Sequence, residues 1–200
     1  MYFLFSLFCV NNVICMKIFR FLLVLCGTLF ASMGLAGEID GMRFIHIGLE
    51  EGLSHSTIFG INQDKEGNLW FATYDGFNKY DGYNFTVYRH QYKNPKSIAS
   101  DITRCVVIDN DNRIWIGTRE GLSLYNHRKN EFSNFFYKKK GQNVTVRNIV
   151  PMQKDWLMLG TTEGILLFDV KGERFLNDTL SATLHSLKPL TLLRQDDDIF

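Results

Sequence analysis

The stretches Gly67-Asn-Leu-Trp-Phe-Ala-Thr73 and Asn112-Arg-Ile-Trp-Ile-Gly-Thr118 are two copies of one pattern, 45 residues apart. The same offset relates five pairs of residues: Asp64, Trp70, Thr73, Gly76 and Tyr80 recur as Asp109, Trp115, Thr118, Gly121 and Tyr125. A third copy follows at an offset of 43 and keeps Thr161 and Gly164, with Met158 in place of tryptophan and Phe168 in place of tyrosine. Self-similarity at such a period indicates a fold built from repeated units.

Each copy consists of short apolar runs separated by turn residues, which is typical of four antiparallel strands. The first runs, at 58–63, 102–108 and 146–152, are the most apolar, and we expect them to be innermost and buried on both faces. The other strands are expected at 69–73, 114–118, 77–80, 122–125 and 165–168, and around Phe85, Tyr88, Phe132, Phe135 and Phe175. The sequence therefore predicts an all-β fold of four-stranded β-propeller blades in an incomplete ring.

The turns of the repeat carry a second signal. Gly67 and Asn112 occupy one repeat position, and both residue types tolerate positive φ, which predicts a left-handed turn. Gly76, Gly121 and Gly164 are expected to make the tight turn between the second and third strands. Trp70 and Trp115 are expected to fill the space between neighbouring sheets. The change of offset from 45 to 43 predicts that the connection before the third copy has lost two residues.

The N-terminal region differs from the rest in composition. Residues 1–36 contain no Asp or Glu and long apolar stretches, with Lys17 and Arg20 as the basic residues. A start at Met16 and small residues up to Ala36 predict a signal peptide, and an uncleaved membrane anchor is the alternative. The remaining 37–200 are expected to hold repeats at about 54–99, 100–143 and 144–185 and an incomplete blade at 186–200. Phe44 and Ile47 have the spacing of an orphan outer strand, and the sequence is interpreted as a fragment.

Three motifs resemble a known family. They are Glu51-Gly52-Leu53-Ser54, then Gln63-Asp64-x-x-Gly67-x-Leu-Trp70-x-x-Thr73-x-x-Gly76, then Lys79-Tyr80-Asp81-Gly82-x-x-Phe85. Together they resemble the regulator-propeller repeats in periplasmic sensor regions of bacterial hybrid two-component systems, over about residues 42 to 175. The departures are Met152 and Met158 in the third copy, where aspartate and tryptophan are missing, and Phe77 in place of leucine.

The resemblance implies a periplasmic ligand-sensing segment, with an oligosaccharide as ligand and a histidine kinase as the parent protein. It implies no catalytic activity for this chain, and it implies the remaining blades of the parent and a homodimer as partners. Two other classes stay open, which are a fragment of a secreted propeller lyase or hydrolase and a plain interaction scaffold. Further repeats, a transmembrane helix and a kinase downstream would distinguish the sensor from both.

Composition and motifs limit the kinds of binding and catalysis that the sequence predicts. With 22 Lys and Arg against 21 Asp and Glu, the chain has no broad positive field for nucleic acid. The run Lys138-Lys139-Lys140 is interpreted as a solvated loop. The five histidines lack metal-ligand spacing, and Cys105 is expected to be a small buried hydrophobe. No catalytic residue, metal or cofactor is therefore predicted.

Recognition is expected on the face formed by the turns between second and third strands. Aromatic and charged side chains at such turns can stack on a sugar and hydrogen-bond to it. The loop 90–95 is expected to join this face. The candidate ligand-binding residues are Tyr74, Asp75, Arg119, Glu120, Thr162 and Glu163.

Overall fold

The computed structural model describes residues 45–152 and 155–176, together with the backbone of two short strands at 194–195 and 198–199. Apart from Ile45, these residues belong to one compact unit, His46–Phe200. The strands are β1 (Ile58–Gln63), β2 (Leu69–Thr73), β3 (Phe77–Tyr80), β4 (Phe85–Tyr88), β5 (Thr103–Ile108), β6 (Ile114–Thr118), β7 (Gly121–Asn126), β8 (Glu131–Phe135), β9 (Lys138–Lys139), β10 (Gln142–Asn143), β11 (Val146–Pro151), β12 (Trp156–Thr161), β13 (Gly164–Asp169), β14 (Arg174–Leu176), β15 (Arg194–Gln195) and β16 (Asp198–Ile199).

Twelve of these strands form three antiparallel sheets in which sequence neighbours are hydrogen-bonded. The sheets are β1–β4, β5–β8 and β11–β14, which we call blades 1, 2 and 3. β9 pairs with β10 in a small separate hairpin. The predicted all-β fold of four-stranded blades is confirmed, and the predicted starts and ends of the innermost strands agree with the structure to within one residue.

The two repeat tryptophans are fully buried between blades. Trp70 of blade 1 shares a hydrophobic cluster with Val106, Ile114 and Ile116 of blade 2. Trp115 of blade 2 lies in a second cluster, which includes Ile149, Leu157, Leu159 and Phe168 of blade 3. Because each indole packs on the sheet that follows it, the repeated tryptophan stacks one blade on the next.

The repeat threonines hold the turns that follow the second strands. The hydroxyl of Thr73 donates to the carbonyl of Gly76 at 2.8 Å, and Thr118 and Thr161 make the same bond at 3.0 and 2.6 Å. The glycine in each turn has a φ of 110°, 147° or 117°, a region that glycine adopts without strain. Geometry of the turn therefore explains why threonine and glycine recur three residues apart.

The left-handed turn predicted between the first and second strands is present. Gly67 has a φ of 90° and Asn112 a φ of 62°. Asp155 has a φ of 60° at the corresponding position of blade 3, which the sequence comparison did not identify. Small polar residues tolerate this conformation, so aspartate can replace glycine here at modest cost.

The expectation that every first strand is buried on both faces is wrong, and the departure is largest in blade 1. Ile58, Phe59 and Ile61 of β1 are 37%, 39% and 57% exposed. Val106, one repeat after Ile61, is buried in the cluster that contains Trp70 of the preceding blade. No sheet among the described residues covers the corresponding face of β1, and its apolar side chains therefore meet solvent.

The predicted loss of two residues before the third copy combines two changes of opposite sign, in a turn and in the connection between blades. The turn before the outer strand is longer in blade 2, where Tyr125 pairs with Phe132, than in blade 1, where Tyr80 pairs with Phe85. The connection from β8 to β11 is residues 136–145, whereas the connection from β4 to β5 is residues 89–102. The inter-blade connection is thus four residues shorter, and a turn that is two residues longer partly offsets it.

Several predictions concern residues at the edge of the described part or beyond it. Residues 45–47 are not in a strand, because no described strand pairs with them, and Phe44 lies outside the described residues. The targeting segment 1–36 and the side chains of the incomplete blade 186–200 also lie outside them. Within the described part of the chain, no helix is long and apolar enough to cross a membrane.

Candidate functional site

The turns between second and third strands lie at one end of the three blades, which we call the upper face. In each blade the backbone N–H of the first turn residue donates to the carbonyl just before the inner strand: Tyr74 to Thr57, Arg119 to Ile102 and Thr162 to Thr145. The three equivalent bonds measure 3.2, 2.9 and 3.1 Å. All six candidate ligand-binding residues therefore lie at the upper face.

An aromatic patch, which we define as His55, Phe59 and Tyr74, covers the blade 1 side of the upper face. The ring of Tyr74 is centred 5.5 Å from His55 and 6.5 Å from Phe59. Arg104 of blade 2 places its guanidinium carbon 4.6 Å from the centre of the Phe59 ring. Tyr74 is 48% exposed, so the patch offers aromatic surface next to a cation.

A polar cleft of about 560 Å³ opens on the upper face between blades 2 and 3. Four of the candidate ligand-binding residues line it, Arg119, Glu120, Thr162 and Glu163, together with Lys138, Lys139, Gly141, Gln142, Asn143, Val144 and Thr145. The Asn143 side-chain amide donates to Glu120 at 3.0 Å, and Lys139 lies 3.3 Å from Glu163. The remaining candidate, Asp75, lies outside the cleft and pairs with Arg89 at 3.1 Å.

The cleft opens where the inter-blade connection is short. Between blades 1 and 2, the N–H of Gly76 donates to the carbonyl of Asp101 at 2.7 Å, and the N–H of Thr73 donates to the hydroxyl of Thr103 at 2.7 Å. Val146 stands at the position of Thr103 in blade 3, so this side-chain bond is lost. The shortened connection instead forms the β9–β10 hairpin, and Lys138, Lys139 and residues 141–143 of this hairpin form one wall of the cleft.

The carboxylates that line the cleft have partners, whereas most of its cations form no ion pair among the described residues. Three cations line it, and Lys139 is the one that pairs with an acid in the cleft. Arg119 and Lys138 form no ion pair with any described residue. Both carboxylates, in contrast, have partners, Asn143 for Glu120 and Lys139 for Glu163. Positive groups are therefore the ones left available to a ligand.

The predicted loop 90–95 reaches the upper face at one end. The N–H of His90 donates to the carboxylate of Asp101 at 2.6 Å, beside the Gly76 turn. Farther on, the carbonyl of Pro95 accepts a bond from Asn134 on the outer strand of blade 2. The loop thus runs from the upper face along blade 2.

Sequence reasoning missed His55, Phe59, Arg104 and the hairpin. Phe59 and Arg104 lie in first strands, which were expected to be wholly buried. Lys138 and Lys139 are exposed as expected of a solvated segment, but they form a strand that lines the cleft. The change of offset from 45 to 43 was the available signal for the cleft, because it marked the connection that differs.

At the opposite end, the lower face, the repeat aspartates do more than form turns. Asp64 accepts the indole N–H of Trp70 at 2.8 Å, and Asp109 accepts that of Trp115 at 2.9 Å. Burial acts to raise the pKa of Asp64, but the hydrogen bonds from Trp70 and Asn68 outweigh it and hold this pKa below its usual value. In the third copy, Met152 and Met158 replace aspartate and tryptophan together, as a hydrogen-bonded pair would require.

Asp64, Glu66 and His127 also bring possible metal-ligand atoms within 4.8 Å of one another. Both oxygens of Asp64 already accept bonds from Asn68 or Trp70, and both oxygens of Glu66 lie 3.1 Å from the Asn112 amide. This arrangement is accounted for as a polar link between blades 1 and 2.

Cys105, the free cysteine of the described residues, packs at the close approach between blades 2 and 3. A Cβ added to Gly117 would lie 2.5 Å from its sulfur. Burial raises the pKa of the Cys105 thiol to about 12. The thiol therefore stays protonated at neutral pH and acts as an apolar group.

Three antiparallel blades stacked through buried tryptophans define a β-propeller. The sequence pattern of the two-component regulator propeller family matches residues 52–75 and 97–120. The extracellular domain of a Bacteroides thetaiotaomicron protein described as a hybrid two-component system is 32% identical with a TM-score of 0.59, over 67% of this chain and 20% of that chain. The chain thus carries two repeats that match the two-component regulator propeller family.

Two further relatives extend the comparison. A second extracellular domain of a B. thetaiotaomicron hybrid two-component system is 16% identical with a TM-score of 0.53, over 60% of this chain and 16% of that chain, and it shows the fold alone. A histidine kinase of Formosa agariphila is 37% identical over 70 residues, 35% of this chain and 5% of its own length. The chain thus spans a fifth or less of the length of these relatives.

Proposed function

We propose that this chain is part of the ligand-sensing region of an extracytoplasmic two-component sensor, and that its upper face binds an oligosaccharide. The family match and the relatives described as two-component systems support the sensor role. The kinase named in one relative supports placing phosphoryl transfer in another part of such a protein. Binding and signalling would then be separate, with this propeller segment contributing to recognition.

The aromatic patch is the observation that carries the carbohydrate part of the proposal. Sugar rings present apolar C–H faces that pack on aromatic side chains, and they present hydroxyls that need polar partners. Tyr74 and Phe59 offer exposed rings, and the polar cleft on the same face offers amide, carboxylate and cationic groups. Such a mixture of apolar surface and a few oriented polar groups is typical of small-molecule sites.

Isothermal titration calorimetry of the full chain with neutral and acidic oligosaccharides tests this proposal. We expect Tyr74→Ala to weaken binding of any recognised sugar by about threefold to tenfold, the effect of losing one aromatic contact. Tyr83→Ala is the matched control, since Tyr83 is 88% exposed and lies in the turn between β3 and β4 at the lower face. Failure of every sugar in the panel to bind to folded chain would disprove the proposal, as would equal losses in the two variants.

Location outside the cytoplasm is the second part of the proposal, and the extracellular domains among the relatives support it. Alkaline phosphatase fused after residue 200 would report on it, because that enzyme needs disulfides that form in the periplasm. We expect an active fusion, and loss of activity when residues 1–36 are deleted. An inactive fusion that accumulates as full-length protein would contradict an exported location.

A further inference from the structure

The three inner strands are each interrupted by a β-bulge in the same register. The irregularity falls between Ile58 and Gly60 in β1, between Thr103 and Cys105 in β5, and between Val146 and Asn148 in β11. The residues at the bulges are Phe59, Arg104 and Arg147. Bulges redirect a side chain and are common next to binding sites, so a bulge repeated in three blades marks a shared position.

This position lies at the upper end of the inner strands. Ile58, Thr103 and Val146 each pair with the threonine that begins the upper-face turn. β5 packs between β1 and β11, and a Cβ added to Gly60 would lie 3.4 Å from the backbone nitrogen of Val106. Phe59, Arg104 and Arg147 therefore form an arc along the inner edge of the upper face, which we call the axial arc.

The two arginines of the axial arc have no counter-ion. Neither takes part in an ion pair within the described residues. The Nε of Arg104 is buried and has no hydrogen-bond partner among them. The guanidinium carbon of Arg104 lies 4.6 Å from the centre of the Phe59 ring. A buried donor without an acceptor is costly, so Arg104 is poised to take an acceptor from outside.

The acids of the upper face are engaged elsewhere. Asp75 pairs with Arg89, Glu163 with Lys139, and Glu120 accepts the amide of Asn143. Arg119 and Lys138 in the polar cleft also form no ion pair with a described residue. Positive groups without ion-pair partners thus lie at the axial arc and in the cleft, while cations neutralise Asp75 and Glu163 and a neutral amide donates to Glu120.

We propose that the axial arc binds the anionic group of the ligand, which makes the ligand an acidic oligosaccharide. The inference rests on the proposed function and adds the chemical class of the sugar. A guanidinium matches a carboxylate or a sulfate with two parallel N–H donors, which a neutral sugar cannot use in the same way. In this arrangement Arg104 and Arg147 hold the anion, and Phe59 and Tyr74 pack against the sugar ring.

Titration of the full chain with matched ligands tests the inference. The probes are a galacturonic acid trisaccharide, a neutral galactose trisaccharide, a sulfated galactose trisaccharide and inorganic sulfate. We expect an acidic trisaccharide to bind at least tenfold more tightly than the neutral one, and Arg104→Gln and Arg147→Gln each to weaken it by about tenfold. Arg104→Lys should retain part of the affinity because it keeps the charge.

Arg128→Gln is the charge-matched control. Arg128 is exposed in the turn between β7 and β8 at the lower face, and it forms no ion pair with a described residue. Its substitution removes one positive charge without touching the axial arc, so binding should stay within about twofold of the wild type. Circular dichroism of each variant establishes that the blades are folded, and the carboxylate and sulfate probes show which anion the arc prefers.

The outcomes separate the two proposals. Equal binding of neutral and acidic trisaccharides, or arginine variants that behave like Arg128→Gln, would overturn the axial arc while leaving sugar sensing intact. Binding of inorganic sulfate that depends on Arg104 and Arg147, with no sugar bound, would support an anion site and refute the acidic oligosaccharide. Absence of all binding by folded chain would refute both.

Discussion

The interface between blades 1 and 2 and the interface between blades 2 and 3 use the same repeat positions with different chemistry. At the first, the ring centres of Trp70 and Tyr125 lie 5.0 Å apart, and the hydroxyls of Tyr88 and Tyr125 are 2.9 Å apart. At the second, Phe135 and Phe168 stand at the two tyrosine positions, with ring centres 4.8 Å apart and no hydroxyl. Aromatic rings therefore pack at both interfaces, whereas the pair of hydroxyls occurs at the first one.

The lower edges differ in charge. Neutral amide groups join blades 1 and 2, where the side chain of Asn112 accepts from the N–H of Lys65 and donates to Glu66. Blades 2 and 3 are joined by Arg113, which lies 2.6 Å from Asp109 and 3.4 Å from Asp155 of the next blade. One interface is thus held at its lower edge mainly by hydrogen bonds and the other by an ion pair.

The upper edges differ in closure, and this difference bears on the proposed recognition. Backbone and threonine bonds seal the first interface, and the second opens into the polar cleft. A propeller can therefore open a polar cleft by shortening one connection while Trp70 and Trp115 stay buried. Substitutions at equivalent positions of the two interfaces test these differences, and the tryptophans are the first of them.

Replacing either tryptophan should have the largest effect. Trp70→Ala and Trp115→Ala each leave a large cavity between blades and remove a donor from a buried aspartate, so we expect each to lower the free energy of unfolding by about 3–5 kcal/mol. Urea denaturation followed by circular dichroism measures the loss. Trp156→Ala is the control, because Trp156 is 37% exposed and should cost less than about 1 kcal/mol.

The paired aspartates give the next effect, and it depends on pH. Burial acts to raise the pKa of both Asp64 and Asp109, but hydrogen bonds, and for Asp109 also the charge of Arg113, outweigh it and leave both values below the usual one. Each carboxylate therefore contributes stability above the unfolded-state pKa of about 3.9, and this contribution is lost as the pH falls through the lower folded-state value.

Asp64→Asn and Asp109→Asn should each lower the free energy of unfolding by about 1–3 kcal/mol at pH 7. Both should flatten the loss of stability on acidification, which urea titrations at pH 7, 4 and 3 would show. Asp109→Asn also removes the ion pair with Arg113, so its cost should shrink more in 1 M salt than that of Asp64→Asn. Equal salt dependence of the two variants would contradict a contribution of the Asp109–Arg113 ion pair to stability.

Much of this fold could be predicted because the repeat is encoded locally. Tryptophan spacing, threonine followed by glycine, and the exchange of Gly67 for Asn112 each reflect the geometry of one blade, and one blade is visible in one stretch of sequence. The fold class, the strands and the left-handed turns followed from these signals. The hydrogen bond from Trp70 to Asp64 did not, since a separation of six residues does not reveal that the two side chains meet.

The site was less predictable because it arises between blades. The six candidate residues lie in the turns between second and third strands, but the sequence could not show that Asp75 pairs with Arg89 or that a hairpin forms one wall of the cleft. Exposure of Phe59 depends on what covers β1, and the redirected position of Arg104 depends on a bulge. Both properties involve contacts between strands that are distant in sequence.

The hydrogen bonds that close the upper edge between blades 1 and 2 should have a third and smaller effect on stability. The hydroxyl of Thr103 accepts from the N–H of Thr73 and donates to its carbonyl, and it is fully buried. Thr103→Val should therefore cost about 1–2 kcal/mol, because it leaves that N–H unpaired. Val146→Thr, at the same position of blade 3, should change stability by less than about 1 kcal/mol. Equal costs in urea denaturation would show that the hydroxyl does not seal the first interface.

The tyrosine pair should give the smallest effect, since phenylalanine already occupies both positions at the second interface. The hydroxyl of Tyr125 lies 2.9 Å from the hydroxyl of Tyr88 and donates to the side-chain oxygen of Asn130 at 2.8 Å. Burial, and then the bond with Tyr125, raises the pKa of Tyr88, so this hydroxyl remains protonated at neutral pH. Tyr88→Phe should cost about 0.5–1 kcal/mol, because Tyr125 keeps Asn130 as a partner. Tyr125→Phe should cost somewhat more because it removes both hydrogen bonds. If urea denaturation gave the same cost for both variants, the rings and not the hydroxyls would stabilise this interface.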